Sequence, residues 1–382
     1  MTNCSFRTVV LGAGPAGAAT ALLLARRGVS VAILEQASLA ERERMPSELF
    51  RVETLPPETK PLLEHLQLDA GFPDCRPREC TGIVSCWDGA EVVEHDFLTS
   101  PYGCAWHVHR RRFDRWLLGQ ALAAGAVCLD RSRVQSLTPW SLTPSTDGGA
   151  FGELHGWRIE GTFRGVQQRL DCEYVVSATG RGRRLGELLG GARTPAVTRH
   201  ALCALLPAGA RAGDARLFVE RLRERPDLSP GEGWASVAPF DDARVQLTVV
   251  GPPEWFEGQD WSASVRERLM DACLLSSLAS RVTINTPWRT CVANLERLTP
   301  AAGPRWAAVG DAALALDPLA GQGLFWALDS ASRAAALVLQ TLGIDSSDGE
   351  APESLAAAYH EQLTGVYDVL RRQHADWMQQ TS

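Results

Sequence analysis

The chain predicts an α/β fold in which a parallel sheet is interleaved with an antiparallel one, and three observations carry that expectation. The first is an apolar run from Phe6 to Leu11, then Gly12-Ala13-Gly14-Pro15-Ala16-Gly17, an alanine- and leucine-rich stretch to Arg27, and a second apolar run to Leu34. The second lies near the far end: Trp306 to Val309, Gly310-Asp311, then Asp317-Pro318-Leu319-Ala320-Gly321-Gln322-Gly323. The third is the texture between about 197 and 290. Apolar residues alternate there from His200 to Leu206, Trp234 to Pro239 and Arg244 to Val250, the period of antiparallel strands.

The first segment reads as strand, turn, helix and strand. Phe6 to Leu11 is a buried strand, Ala16 to Arg27 is a helix ended by Gly28, and Val29 to Leu34 is the next strand. Gly12 permits the tight strand-to-helix turn, Gly14 lets the backbone approach a pyrophosphate, and Gly17 lets the helix pack close to the strand. Pro15 and Ala16 belong to the same fingerprint. The helix N-terminus offers unpaired N–H groups and a positive dipole end to phosphates. Glu35 closes the second strand and can accept hydrogen bonds from adenosine ribose hydroxyls. Together these residues predict a dinucleotide site.

Residues 38–60 are polar and proline-bearing, and Lys60 to Leu68 is a short amphipathic helix. Thr81 to Trp87 and Glu91 to Phe97 form a hairpin across Asp88-Gly89. Arg112 to Ala124 is a helix with Phe113, Trp116, Leu117 and Leu122 on its apolar side, and Ala126 to Leu129 is a strand. Residues 138–152, rich in Pro, Ser, Thr and Gly, read as a loop. Trp157 to Phe163 and Gln167 to Tyr174 form a second hairpin that runs on to Ala178-Thr179-Gly180. Ser262 to Leu278 and Gly323 to Leu342 are helices, 345–353 is a polar linker, and Leu355 to Met378 is a last helix. Nucleotide-binding pieces therefore come at the start, middle and end, which argues against two sequential domains.

The net charge of −7 gives no electrostatic case for nucleic acid. No apolar run is long enough to span a membrane, and no leader is expected ahead of the first strand. Ten cysteines occur with no Cys-x-x-Cys pair. Cys75, Cys80 and Cys86 have no nearby histidine, so reduced thiols in a cytoplasmic protein are expected, with no metal site. Lys60 is the only lysine, so any mechanism that needs a catalytic lysine has one candidate.

The fingerprint with Glu35, the Arg-x-x-Phe-Asp segment at Arg110, the Ala178-Thr179-Gly180 turn and the Gly310-Asp311…Asp317-Pro318 segment resemble the flavoproteins of para-hydroxybenzoate hydroxylase fold. That group includes aromatic hydroxylases, tryptophan halogenases and geranylgeranyl reductases. The resemblance implies a GR2-type Rossmann FAD domain (1–70, 105–185 and 290–345). An antiparallel β-sheet substrate domain (71–104 and 186–289) is interleaved with it, and a C-terminal helix (346–382) follows. A narrower likeness rests on Glu53-Thr54-Leu55-Pro56-Pro57 with Lys60-Pro61-Leu62-Leu63, and on Asp96-Phe97…Pro101-Tyr102-Gly103…Trp106-His107. These are similar to a signature of flavoproteins that mature tryptophylquinone cofactors, the modifying partners of quinohemoprotein amine dehydrogenases and amino-acid oxidases. The chain departs from that subgroup at Val52, usually Gly, and at Ala235 and Ser236, where the subgroup is often more aromatic.

The resemblance implies an FAD-dependent monooxygenase that hydroxylates a tryptophan of a partner polypeptide with dioxygen. Asp311 can accept from ribityl hydroxyls. The Gly321-Gln322-Gly323 turn brings N–H groups and a helix start near the flavin N1 and C2 carbonyl, which favours the negative charge of reduced flavin. Pro318 lines the ring face, Arg110 reaches FAD or its pyrophosphate, and Gly180 ends a strand near the nucleotide. Electrons come from NAD(P)H directly or through a separate flavin reductase, because Ser177-Ala178-Thr179 stands where nicotinamide-binding hydroxylases usually carry Asp-Gly. Reduced flavin with dioxygen gives a C4a-hydroperoxide, an electrophilic donor suited to indole. Glu53 and His107 are the acid–base candidates and Trp234 the substrate-pocket candidate; each also reads as a structural residue. The rivals are a small-molecule aromatic hydroxylase, a halogenase and a prenyl-lipid reductase. Halogenation needs a lysine and a Trp-x-Trp-x-Ile-Pro segment, and Trp234-Ala235-Ser236-Val237-Ala238-Pro239 lacks the second Trp.

Overall fold

The computed structural model describes residues 3–46, 51–87, 91–140, 155–182, 184–222, 232–258, 260–345 and 349–379. A parallel sheet forms its centre. Strand Asn3–Leu11 pairs with Val31–Leu34 on one side and Val166–Ser177 on the other, flanked by Val127–Leu129 and Trp306–Ala308. Every residue of Val31–Leu34 is buried, as expected of a parallel strand covered on both faces. The register sets Leu11 beside Leu34 and Ser177, and Ser177 beside Ala308. The carboxyl ends of these strands thus fall along one edge, where open α/β sheets place their ligands. Helix Pro15–Arg26 packs against helices Gly323–Thr341 and Arg110–Ala123. The last helix, Pro352–Gln379, lies on Gly323–Thr341, and its Tyr359 hydroxyl donates to the Ala308 carbonyl at 2.7 Å.

A seven-stranded sheet covers the carboxyl edge. Its order is Arg289–Val292, His200–Pro207, Arg244–Gly251, Gly233–Pro239, Leu217–Leu222, Gly82–Cys86 and Val92–Asp96. All neighbours are antiparallel except Leu217–Leu222 and Gly82–Cys86. Period-two alternation sorts its side chains. Leu202, Phe218, Ala235, Leu247 and Val249 pack outward onto Trp255 and helix Trp261–Met270. Leu247 and Val249 are wholly buried, and burial of that kind stabilises by about 1.5–3 kcal/mol per side chain. The intervening residues, among them Ala201, Cys203, Val219, Trp234, Ser236 and Thr248, face a cavity. Two small sheets complete the frame: Val52–Leu55, Ala105–His109 and Arg78–Cys80, and Ala192–Val197, Leu295–Thr299 and Leu314–Ala315.

The fold differs from the sequence expectations in places. The helix expected from Ser262 to Leu278 stops at Met270, and a separate turn follows at Ser276–Arg281. The buried Glu220 carboxylate accepts from the Cys273 backbone N–H, and from those of Leu274 at 2.9 Å and Leu275 at 3.0 Å. That side-chain acceptor competes with helix continuation. The expected loop at 138–152 begins within a strand, Arg133–Trp140, paired to Gly156–Phe163; residues 141–154 lie outside the described residues, as does the Asp88-Gly89 turn. Within the polar 38–60 segment, Val52–Leu55 is a strand, because Ala105–His109 supplies its partner.

Candidate cofactor cleft and substrate chamber

One cavity of about 860 Å³ runs from the glycine fingerprint to the seven-stranded sheet. At the first end the three glycines do three different things. A Cβ on Gly12, at φ +111°, would sit 2.4 Å from the Ala178 carbonyl oxygen, and one on Gly17 would sit 2.0 Å from the Gly12 oxygen. These two serve close backbone packing. A Cβ on Gly14 would meet nothing within 4 Å, because Gly14 borders the cavity where the helix begins with no side-chain cap. Pro15 and Ala16 line the same end. The Glu35 carboxylate accepts from the N–H groups of Ala13 at 2.8 Å and Ala37 at 2.9 Å and faces the cavity.

At the other end Gly310, at φ +55°, turns the chain out of strand Trp306–Ala308. The Ser330 hydroxyl accepts the Gly310 N–H at 2.8 Å. Arg181 pairs with the Asp311 carboxylate at 3.2 Å and donates to the carbonyls of Asn294 at 2.6 Å and Leu316 at 2.8 Å. Burial raises the Asp311 carboxyl above its usual range, and Arg181 opposes that rise. Asp317 accepts the Leu319 N–H at 2.9 Å and shapes the turn in which Gly321 takes φ +61°. Gln322 holds the N-cap position, and helix Gly323–Thr341 starts with no side-chain cap. Pro318, Gly321, Gly323 and Leu324 line the cavity.

Between the two ends runs a ladder of alternating charge, all of it on the cavity wall. Arg42 meets Asp114 at 2.7 Å, Asp114 meets Arg110 at 2.9 Å, Arg110 meets Glu53 at 2.6 Å, and Glu53 meets Arg51 at 3.4 Å. Arg51 ends it by donating to the Cys291 sulfur at 3.1 Å. Burial alone would raise Glu53; Arg110 and then Arg51 outweigh it and hold the carboxylate below its usual range. Glu53 is therefore an ionised strut at neutral pH. Arg110 is the inward-facing member of its triplet, while Arg111 reaches the Met45 carbonyl at 2.6 Å.

The remaining sequence candidates separate. Trp234 lines the chamber, and its buried Nε1–H has no hydrogen-bond partner among the described residues. His107 is not in the cavity wall: its ring is fixed by the Thr54 hydroxyl at 2.9 Å and the Ala215 carbonyl at 3.0 Å. Burial lowers its imidazole to about 4, so it is neutral at pH 7 and packs as a strut. Gly180, at φ +59°, lines the cleft. Sequence reading missed Arg51, Arg181, the Cys203–Cys291 pair and Arg193. Arg193 is 3.0 Å from Glu296, both side chains 2% exposed. It also donates to the carbonyls of Gly180 at 2.9 Å, Asp311 at 3.0 Å and Ala312 at 2.9 Å, binding the two cofactor turns together. The only local signal was a charged residue inside an otherwise strand-like stretch.

These residues fit FAD. Gly14 leaves phosphate-sized space at a helix N-terminus, Glu35 offers a carboxylate at the ribose end, and a second bare helix start at Gly323 faces the ring end. The chain matches the family model described as FAD binding domain over residues 5–369, and it belongs to that family as an FAD-dependent oxidoreductase of the flavin monooxygenase kind. It is 23% identical over 385 residues to the flavin-dependent halogenase gsfI of Penicillium aethiopicum, covering 94% of this chain and 69% of that one. Some other curated relatives are matched over about half of this chain and two-fifths of their own length. Among solved structures, a flavoprotein/dehydrogenase from Cytophaga hutchinsonii superposes with a TM-score of 0.78 at 19% identity, covering 98% of this chain and 86% of that one. The peptidyl tryptophan dihydroxylase QhpG, essential for tryptophylquinone cofactor biogenesis, does so with a TM-score of 0.69 at 24% identity, covering 99% and 76%. These two likenesses define the fold. No helix among the described residues is long and apolar enough to cross a membrane.

Proposed function

We infer that this flavoprotein hydroxylates the side chain of a tryptophan in a partner polypeptide, a step in forming a tryptophylquinone. The carrying observation is the chamber wall. Ala201, Val219, Ser236 and Ala238 line the cavity together with Trp234 and with Asp317, Pro318, Leu319 and Gly321 of the flavin-end turn, and a wall of mostly small side chains beside an indole suits a planar ring. Bound FAD supplies two-electron storage and the activation of dioxygen. The protein's own residues exclude water, orient the ring and keep charge fixed. Trp234 contributes an aromatic side chain to that wall. Neither Glu53, held ionised, nor His107, outside the wall, is placed as an acid catalyst, and an electron-rich indole has least need of one. The likeness to QhpG in fold and the Glu53–Pro57 signature support the same substrate class.

The halogenase relatives raise a second reading. Lys60 lies on helix Thr59–His65 with its side chain exposed and away from the cavity wall. A halogenase that carries its oxidised halide on a lysine has no candidate there. The test is to incubate the FAD-loaded chain, a reductant and isotopically labelled dioxygen with an unmodified quinoprotein subunit of the amine dehydrogenase or amino-acid oxidase type. Peptide mass spectrometry then reads the partner. Labelled oxygen on one tryptophan is expected. Oxygen appearing in free aromatic compounds and in no polypeptide would sink the reading in favour of a small-molecule hydroxylase.

A further inference from the structure

Two cysteines that the proposed chemistry does not use stand in the chamber wall. Cys203 lies on His200–Pro207 and Cys291 on Arg289–Val292. In the antiparallel register Cys203 faces Arg289 and Cys291 faces Ala201, so the two thiols are diagonal neighbours on one face of the sheet. The Arg51 guanidinium donates to Cys291 at 3.1 Å, and the Cys203 sulfur meets the Thr248 hydroxyl at 3.5 Å. Both residues line the cavity, although Cys203 is 5% exposed overall.

We propose that Cys291 and Cys203 form a peroxide-reactive dithiol in the chamber wall, with Cys291 the attacking sulfur and Cys203 the resolving one. The proposal rests on membership of the FAD family and is independent of the tryptophan reading. The oxidant is hydrogen peroxide, which flavin oxygenases release when dioxygen is reduced without reaching a substrate. In the first step the Cys291 thiolate attacks one peroxide oxygen. An S–O bond forms, the O–O bond breaks, and the departing hydroxide takes up a proton as water. In the second step Cys203 loses its proton and attacks the sulfenic sulfur. The S–S bond forms, the S–O bond breaks, and hydroxide leaves as a second water. Two thiols lose two electrons, and one peroxide becomes two waters.

The surroundings favour these roles. The neighbouring Cys203 thiol, then the charges of Arg51 and Arg181, pull the Cys291 thiol below its usual range against burial and the opposing charge of Glu53. The Cys291 thiol and burial push Cys203 up. A thiolate beside an arginine is the nucleophile, and a protonated neighbour is its resolving partner. A diagonal pair needs a small backbone adjustment to reach disulfide geometry. Arg289–Val292 is a four-residue edge strand, bonded on one side only, and can give. Closure would take Arg51's sulfur partner away and tie that edge to its neighbour. Cys75, Cys80, Cys128 and Cys172, by contrast, are buried with their thiols pushed up.

The experiment uses the full FAD-bound chain, freshly reduced and freed of reductant. It is exposed to hydrogen peroxide at about one equivalent and blocked with one alkylating label before reduction and a second label after it. Peptide mass spectrometry is expected to find Cys203 and Cys291 carrying the second label first, and a linked Cys203–Cys291 peptide in unreduced digests. At pH 6.5 Cys291 should be alkylated about ten-fold faster than the exposed Cys273, because the thiolate is the reacting form and Arg51 favours it at Cys291. Cys203→Ser should leave Cys291 as a sulfenic acid that a cyclic dione traps. The proposal is overturned if Cys273 oxidises while Cys203 and Cys291 stay reduced in the unaltered protein, a result that needs no variant to fold.

Discussion

Replacing Arg193 with methionine isolates the residue that ties the two cofactor turns together. Its side chain and that of Glu296 are each 2% exposed and 3.0 Å apart, and one guanidinium nitrogen serves three carbonyls at 2.9–3.0 Å. Methionine refills much of the stem volume and supplies none of these bonds. Removing one member of a buried ion pair costs about 3–5 kcal/mol, because the other charge stays buried without it. Three carbonyls also lose a charged donor, so the upper half of that range is expected. A chain this long shifts its thermal midpoint by about 2 °C per kcal/mol, which gives a fall of roughly 8–10 °C.

Scanning calorimetry of the apo chain reads the fall, and a titration of released FAD fluorescence reads the cleft. Gly180 and Asp311 sit in the turns that Arg193 holds, so FAD should also bind about ten-fold more weakly, equivalent to about 1.4 kcal/mol. The second arm combines Arg193→Met with Glu296→Leu. Exchanging a buried pair for apolar groups is often neutral or stabilising, so at least half of the lost midpoint should return, the remainder being the three carbonyls. A single variant that loses less than about 2 °C, or a double variant as unstable as the single, would refute the assignment of Arg193 as a charge-paired clasp.

Four other substitutions probe the cavity and its frame. Gly14→Ala places a methyl in open space, so the apo midpoint should hold while FAD affinity falls at least about ten-fold; Gly12→Ala, which meets the Ala178 carbonyl at 2.4 Å, should lower both. Trp234→Phe removes a buried donor that has no partner among the described residues, so stability should stay within about 1 kcal/mol while KM for the substrate rises, as steady-state kinetics would read. His107 has its folded pKa depressed to about 4, below the ordinary value near 6.5, so the unfolded chain takes the proton first on acidification. Its stabilising contribution is present above about pH 6.5 and is lost as pH falls toward 4, about 2 kcal/mol of it between pH 7 and 5; urea midpoints for His107→Gln should show that part of the acid slope flattened.

The ends of the cleft were legible in the sequence because their constraints are local. Gly12, Gly17, Gly310 and Gly321 answer backbone demands that show within a few residues, by positive φ or by a Cβ with nowhere to go. Alternation in Trp234–Pro239 and Arg244–Val250 likewise marked the chamber sheet. What was not legible depends on partners far away in the chain. Arg193 reads as one arginine among many until Leu295–Thr299 is paired beside it. Cys203 and Cys291 become a pair only when strand order is known. Helix Trp261–Met270 ends early because Glu220, on another strand, offers its carboxylate. His107 looked available for chemistry because its two ring partners, Thr54 and the Ala215 carbonyl, come from separate segments.

The alternating ladder fixes the charged groups of this wall in place. In the run Arg42, Asp114, Arg110, Glu53, Arg51 and Cys291, each interior group is shared between two opposite partners. A carboxylate braced by two arginines cannot take a proton near pH 7, and an arginine between two anions cannot swing to follow a substrate. The ladder is thus a rigid floor under the cavity, and its polarity is set from the nucleotide end to the chamber end. Its last member is the exception, because Cys291 has Arg51 on one side and a protonated thiol on the other. A charge with one strong partner is better able to react than one braced on both sides, which singles out Cys291 among the ladder's members on the cavity wall.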